Sequence, residues 1–232
     1  MFFMSVKEFM KALNGEGVEG ELFKTIFTSL VTSFIILGIF YYLGLQYIED
    51  FIPKYGFYLF FAVLSYALVL PSIRHVRAYG EFACMSGMMI GMTIGMIAGF
   101  LSGFYVGATN GMFTGSIFGM VIGIFFGVWI GKCCGIMGAM EGIMAGFMGG
   151  LMGAMTSVMM LNDNLNIAAV IIFIISASIV FGLNYMISRE AQDGKMERKH
   201  KDDEFFIIFW SILLTVITTW IMIYGPRSVL FG

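Results

Sequence analysis

The fold is decided by residues 87–107, which read GMMIGMTIGMIAGFLSGFYVG. Glycine stands at every fourth position of this stretch, and almost all of the residues between the glycines are apolar. Small residues spaced four apart recur along a helix surface and let two helix backbones approach closely in lipid. The stretch therefore predicts a membrane-spanning helix that packs tightly against its neighbours.

The same glycine spacing continues far beyond this stretch, without a gap to Gly135, and resumes at Gly138. Four residues advance a helix by about 400°, so the glycine stripe turns by about 40° per step and can serve several partners. We expect a glycine-zipper core, within the chain or between copies of it. The alternative is that the glycines let helices slide or leave carbonyl groups bare along a pathway. The glycines predicted to make helix contacts are Gly87, Gly91, Gly95, Gly99, Gly115, Gly119, Gly123, Gly142 and Gly146.

The composition indicates a protein whose solvent is lipid. Of the 232 residues, 59% are hydrophobic and only 12% are charged, whereas soluble domains carry roughly 25% charged residues. An apolar excess of this size cannot be buried in a water-soluble core. The net charge is −2 and no basic face is visible, which argues against a nucleic-acid partner.

Charged residues and turns divide the chain into seven windows of the length that a membrane-spanning helix needs, about 20 residues. The third and fourth windows are separated at Asn110-Gly111, because Asn-Gly is a strong turn dipeptide. Open strand edges cannot be satisfied in lipid, so we predict an all-α, polytopic helical membrane protein with about seven transmembrane helices. The predicted spans are 25–48, 55–72, 82–107, 111–131, a fifth from the turn at 132–135 to about 160, 166–188 and 205–225.

These windows organise the chain into six segments, and the basic residues predict their orientation. If the N-terminus is cytoplasmic, every Lys and Arg except Lys54 and Arg227 falls on the cytoplasmic side, as the positive-inside rule requires. We therefore expect a multi-pass protein of the cell membrane with a cytoplasmic N-terminus. The segments are an amphipathic N-terminal segment (1–24), helices one and two (25–80), a Gly/Met-rich core of helices three to five (81–160), helix six (161–188), a charged cytoplasmic loop (189–204), and helix seven with an outer tail (205–232).

Methionine is concentrated in the third and fifth spans, and on the fifth it recurs at helical spacing together with one acid. A thioether is a soft, neutral ligand that suits Cu(I). Three cysteines are expected at the cytoplasmic ends of their helices, where thiols stay reduced. The sequence requires no cofactor, and copper is the one that this chemistry would suit. The preferred explanation of the methionines is that they fill gaps beside glycine. The predicted metal-binding residues are Met137, Glu141, Met144, Met148, Met152, Cys84, Cys133 and Cys134.

Glu141 is the most informative single residue, since ionisable groups inside the bilayer are costly and usually face a bundle interior or water. It could bind a cation, relay protons, pair with a cation of a neighbouring helix, or remain protonated and bonded to backbone. His75 and His200, the only histidines, are both predicted in cytoplasmic loops, which argues against a haem or zinc site. No P-loop, G-x-S-x-G or H-E-x-x-H motif occurs, so we do not expect an enzyme.

Two functions fit these features. The first is a transporter or channel, for a soft metal ion such as Cu(I), with a core lined by Met, Cys and Glu. The second is a non-transporting structural or assembly subunit of a membrane complex, which associates with itself through its glycine zipper. In both cases the expected partners are the lipid bilayer and either further copies of the chain or other subunits of a complex.

Overall fold

The structure is a computed structural model, and it describes residues 18–43, 55–79, 82, 84–132, 135–161, 163–193 and 204–226. All seven helices that these residues form are long and apolar enough to cross a membrane, and the described residues include no strand. The prediction of a polytopic helical membrane protein is confirmed. The helices are α1 (Val18–Leu43), α2 (Phe57–Tyr79), α3 (Cys84–Asn110), α4 (Met112–Gly131), α5 (Gly135–Met159), α6 (Leu165–Asp193) and α7 (Glu204–Tyr224).

The predicted turns and helix ends agree with the structure in the middle of the chain. Only Gly111 separates α3 from α4, and its φ of 104° lies in the left-handed region that glycine adopts readily. Four helices run further than predicted. The helix α1 begins at Val18 instead of 25, α2 continues past 72 to Tyr79, α3 past 107 to Asn110, and α6 past 188 to Asp193. Residues 1–17 of the predicted N-terminal segment and residues 194–203 lie outside the described residues, whereas residues 18–24 of that segment belong to α1.

The helices α3, α4 and α5 pack on one another through their glycines, and we call these three helices the glycine cluster. A Cβ atom added to Gly103 would stand 2.7 Å from the carbonyl oxygen of Gly150, and one added to Gly123 would stand 2.9 Å from the Cα of Gly146. Real Cβ atoms essentially never come within 3.0 Å of a heavy atom that belongs to another part of the structure. The interior of the cluster at these contacts is therefore filled by backbone, with no room for a side chain.

Every glycine of the predicted set is buried. A Cβ atom added to one of these glycines would lie next to a glycine of a neighbouring helix. The pairs are Gly91 with Gly131, Gly95 with Gly127, Gly99 with Gly146, Gly115 with Gly107, Gly119 with Gly103, and Gly142 with Gly127. These contacts lie within one chain, between its own three helices. The glycines of the cluster are thus already used inside the single chain.

The helices α1, α2, α6 and α7 pack through large apolar side chains and are also joined by polar ones. The hydroxyls of Ser33 and Ser211 join α1 to α7 at 2.5 Å, and those of Tyr66 and Thr218 join α2 to α7 at 2.7 Å. The helix α3 connects the two halves, since it packs against α2, α6 and α7 as well as against α4 and α5. By contrast, α5 packs against α3 and α4 and makes no comparable contact with any other described helix, so it lies at the edge of the molecule.

Candidate functional site

The methionines of α5 lie on the side of the helix that faces away from α3 and α4. The buried side of α5 carries Gly138, Gly142, Ala145, Gly146, Gly149, Gly150, Gly153, Ala154 and Ser157. Because successive residues of a helix point about 100° apart, neighbours of these glycines point outward. The exposed fractions are 69% for Met137, 65% for Met144, 57% for Met148 and 54% for Met152. We call the side with Met137, Met140, Met144, Met148 and Met152 the methionine face.

The expectation of a methionine-lined helix core is therefore wrong for these residues. The methionines of α3 behave in the same way, since Met85, Met89, Met92 and Met96 are all exposed. The physical reason is close packing, because glycine permits the approach of two backbones and methionine would prevent it. Where glycine and methionine share a helix, the glycines occupy the interface and the methionines point away from it.

Glu141 lies at the border of the methionine face and is partly exposed. It stands one helical turn after Met137 and just under one turn before Met144. Six residues separate it from the start of α5, which places it about 9 Å into the helix. Its side chain has no hydrogen-bond or ion-pair partner among the residues that the structure describes. No residue of the described part of the chain therefore occupies the carboxyl group.

The predicted cysteines do not add to a described site. Cys133 and Cys134 lie outside the described residues, and the structure describes the backbone of Cys84, at the start of α3, but not its side chain. Within the described ranges no group of three or more His, Cys, Asp or Glu side chains could hold a metal ion. Of the eight predicted ligands, the structure brings together the five of α5, along one side of that helix.

A layer of polar side chains lies between α1, α2, α4 and α6. The sequence did not predict this layer, because His75, one of its members, was expected in a loop. His75 instead lies within α2, with 2% of its surface exposed. Its Nδ1 lies 3.3 Å from Oδ1 of Asn184, whose Nδ2 donates to Oγ of Ser72 at 2.9 Å. Nearby along α2, Arg74 donates from Nη1 to Oγ1 of Thr25 on α1 at 2.7 Å.

This layer joins helices and offers no obvious chemistry. Arg77 extends it to α4, where its guanidinium carbon lies 5.4 Å from the centre of the Trp129 ring, a cation–π distance. Among the described residues, those named in this layer include no nucleophile hydrogen-bonded to a base and no pair of acids, the arrangements that catalysis needs. Its hydrogen bonds also explain why α2 remains helical past the predicted end at 72. The signal in the sequence was Asn184, an amide in the sixth span that requires partners in lipid. The remaining histidine, His200, lies outside the described residues.

Asn110 does more than make the predicted turn. It is buried, and its Nδ2 donates to the carbonyl oxygen of Ile221 on α7 at 2.7 Å. Thr114 donates to the carbonyl oxygen of Pro226 at 2.9 Å. Together these bonds fix the end of α7 to the turn between α3 and α4. An apolar crevice of about 460 Å³ lies beside them, but its walls lack the few placed polar groups that orient a specific ligand.

No protein-family model, curated protein or solved structure matches this chain. The class of the protein is therefore set by its fold, that of a multi-pass helical membrane protein with a tightly packed glycine cluster at one side. Any more particular function has to be argued from the methionine face and Glu141.

Proposed function

We propose that this chain is a subunit of a membrane assembly and that another membrane helix binds at the methionine face of α5. The observation that carries the proposal is the carboxyl group of Glu141, partly exposed in a membrane-crossing helix and without a partner in the described chain. An ionisable group in contact with lipid costs several kcal/mol, and such groups pair with one another or face a bundle interior. A partner at this face would remove that cost.

The composition of the face supports a protein neighbour over lipid. The exposed side of α6 offers an internal comparison, because it consists of residues such as Ile167, Ile171, Ile174 and Ile175, and α6 contains no methionine before Met186. Lipid accepts isoleucine and methionine alike. Methionine is unbranched and polarisable, and surfaces that bind protein partners over-use it because it adapts its shape.

The packing of the glycine cluster also bears on how such an assembly would work. Backbone fills the contacts between α3, α4 and α5, which is unfavourable for a pathway inside this part of a single chain. Binding or passage at the outer side of α5 requires no such pathway. This favours an assembly subunit over a channel formed by one copy.

Site-specific photocrosslinking in cell membranes tests the proposal. A photoreactive amino acid is placed at Met144 and, as a matched control, at Ile174 of α6, which are 65% and 60% exposed in the single chain. We expect a discrete protein adduct from position 144 and none above background from position 174. Equal crosslinking at the two positions, or no protein adduct at 144, would overturn the proposed function.

A second candidate function is the passage of a soft cation such as Cu(I) along the methionine face, between this chain and its partner. It is favoured by the spacing of Met137, Glu141 and Met144, which offers two thioethers and a carboxylate within two turns of one helix. Copper content after purification from copper-supplemented cells is the measurement. We expect replacement of Met137, Met144 and Met148 by Leu to abolish bound copper, and Met159→Leu, at the far end of α5, to retain it. An absence of copper in the wild-type protein excludes this candidate.

A further inference from the structure

We infer that the partner at the methionine face is a second copy of this chain, whose Lys132 pairs with Glu141. The inference rests on the proposed function, since it names the occupant of the surface proposed there. It is carried by two groups of opposite charge, neither of which has a partner among the described residues. The fold holds them within about 6 Å of one another in depth, on outward-facing sides of neighbouring helices.

Lys132 directly follows the last residue of α4, and its side chain is exposed. Like Glu141, it has no hydrogen-bond or ion-pair partner among the described residues. It follows Phe125 by seven residues, so it continues the exposed side of α4 that Phe125 and Val121 occupy. One copy therefore presents a cation on the outside of α4 and a carboxyl group on the outside of α5, neither of them bonded to a described residue.

The packing of the glycine cluster fixes the relative depth of these two charges. Across the α4–α5 interface, Gly131 packs against Gly138 and Gly127 packs against Gly142. The level of Lys132 on α4 thus corresponds to about residue 137 on α5, and Glu141 lies four residues, or about 6 Å, further along. The four-carbon stem of lysine spans a distance of this order while its ammonium group seeks a polar partner.

Copies of one chain that share an orientation sit at the same depth in the bilayer. The Lys132 of one copy therefore reaches the level of the Glu141 of the next, although the two residues do not pair within their own chain. A two-fold contact between α5 helices would instead oppose Glu141 to Glu141, which repel when both are ionised. The complementary arrangement places α4 of one copy against α5 of another, a head-to-tail contact that closes into a ring when the rotation allows.

A charge exchange in the full-length protein tests this pairing. Glu141→Lys and Lys132→Glu are made in two copies of the chain that carry different affinity tags, and each is expressed alone and together. Expressed alone, each variant opposes like charges at the contact, and we expect its self-association to fall at least 10-fold. Expressed together, every contact between the two variants again joins Lys to Glu, and we expect co-purification at the wild-type level.

The exposed acid Asp163 at the α5–α6 turn provides the control, since Asp163→Lys should leave association unchanged. Retention of helix content by each variant shows that it has folded. Wild-type association of Lys132→Glu alone, or failure of the mixture to restore association, overturns the inference. A Met144 crosslink to a different protein also overturns it while the proposed function stands, whereas the absence of any protein crosslink at Met144 overturns both.

Discussion

The two halves of this molecule are held together by different means. The glycine cluster of α3, α4 and α5 relies on the direct approach of backbones, while α1, α2, α6 and α7 combine the packing of large apolar side chains with hydrogen bonds between Ser, Thr, Tyr and Asn side chains. Lipid provides little hydrophobic drive between helices, so close packing and polar bonds are the available sources of association. A single added atom in a backbone contact should therefore destabilise the glycine cluster strongly. Removal of one hydrogen bond should destabilise the other half only slightly.

The largest expected effect is in the glycine cluster. A Cβ atom at position 146 would overlap the backbone of Gly123 and Ile124, and neither can move without displacing α4. We expect Gly146→Leu to destabilise the protein by at least about 3 kcal/mol, at or beyond the upper end of overpacking effects, or to prevent folding. Reversible unfolding in mixed detergent micelles measures the change.

The control for this substitution is Gly182→Leu on α6, because an added Cβ there meets nothing within 4 Å. We expect its effect on the free energy of unfolding to stay within about 0.5 kcal/mol, as for other surface substitutions. If the two leucine variants were equally stable, the backbone contacts of the glycine cluster would not hold α4 to α5.

An intermediate effect is expected in the polar layer of the other half. Asn184→Leu removes the bond to Ser72 and the contact with His75. The expected loss of stability is about 1–3 kcal/mol, the contribution of two buried hydrogen bonds. Asn166→Leu is the matched control, because Asn166 is exposed and accepts one bond from Tyr58. A loss no greater for Asn184→Leu than for Asn166→Leu would mean that the layer does not hold α2 to α6.

A smaller effect is expected at the hydroxyl contact between α1 and α7. Ser211→Ala removes its bond to Ser33, and interhelical bonds of this type contribute about 0.6 kcal/mol on average in membrane proteins. A double-mutant cycle with Ser33→Ala isolates the pairwise energy. A coupling energy near zero would mean that this bond does not hold α1 to α7. A coupling energy above about 2 kcal/mol would make the bond as strong as the contacts of the glycine cluster and would remove the contrast.

The smallest effect on the single chain is expected at the methionine face. Met148→Leu conserves volume at an exposed position, and we expect the free energy of unfolding in detergent to change by less than about 0.5 kcal/mol. A loss comparable to that of Gly146→Leu would show that Met148 is packed inside the chain, contrary to the structure.

The sequence predicted the helices well because in lipid their lengths and ends are set by apolar runs and charges. The glycine spacing indicated a packing surface on α3, α4 and α5 but not which glycines meet there. It did not predict that the methionines face outward, because a membrane helix lacks the polar side that marks the exposed face of a soluble helix. The sequence suggested that Glu141 faces the interior of the bundle, but it lies at the border of the methionine face instead.

His75 illustrates a second limit of the sequence. Arg74, His75 and Arg77 look like the end of a span when only charge is considered. They remain in α2 because Thr25, Asn184 and Trp129 come from three other helices to meet them. Partners that lie 49 and 109 residues away in the chain leave no local signal in the sequence.

The most direct test of the central claim, that a protein partner covers the methionine face, is footprinting from within the lipid phase. A lipid-soluble carbene reagent is activated in cell membranes, and labelling of Met144 and Met148 is compared with that of Ile174 and Ile175 by mass spectrometry. These pairs are similarly exposed in the single chain, at 65% and 57% against 60% and 54%. We predict that α5 is labelled several-fold less than α6 in membranes, and that the difference disappears in dilute detergent. Equal labelling of the two helices in membranes would contradict the account.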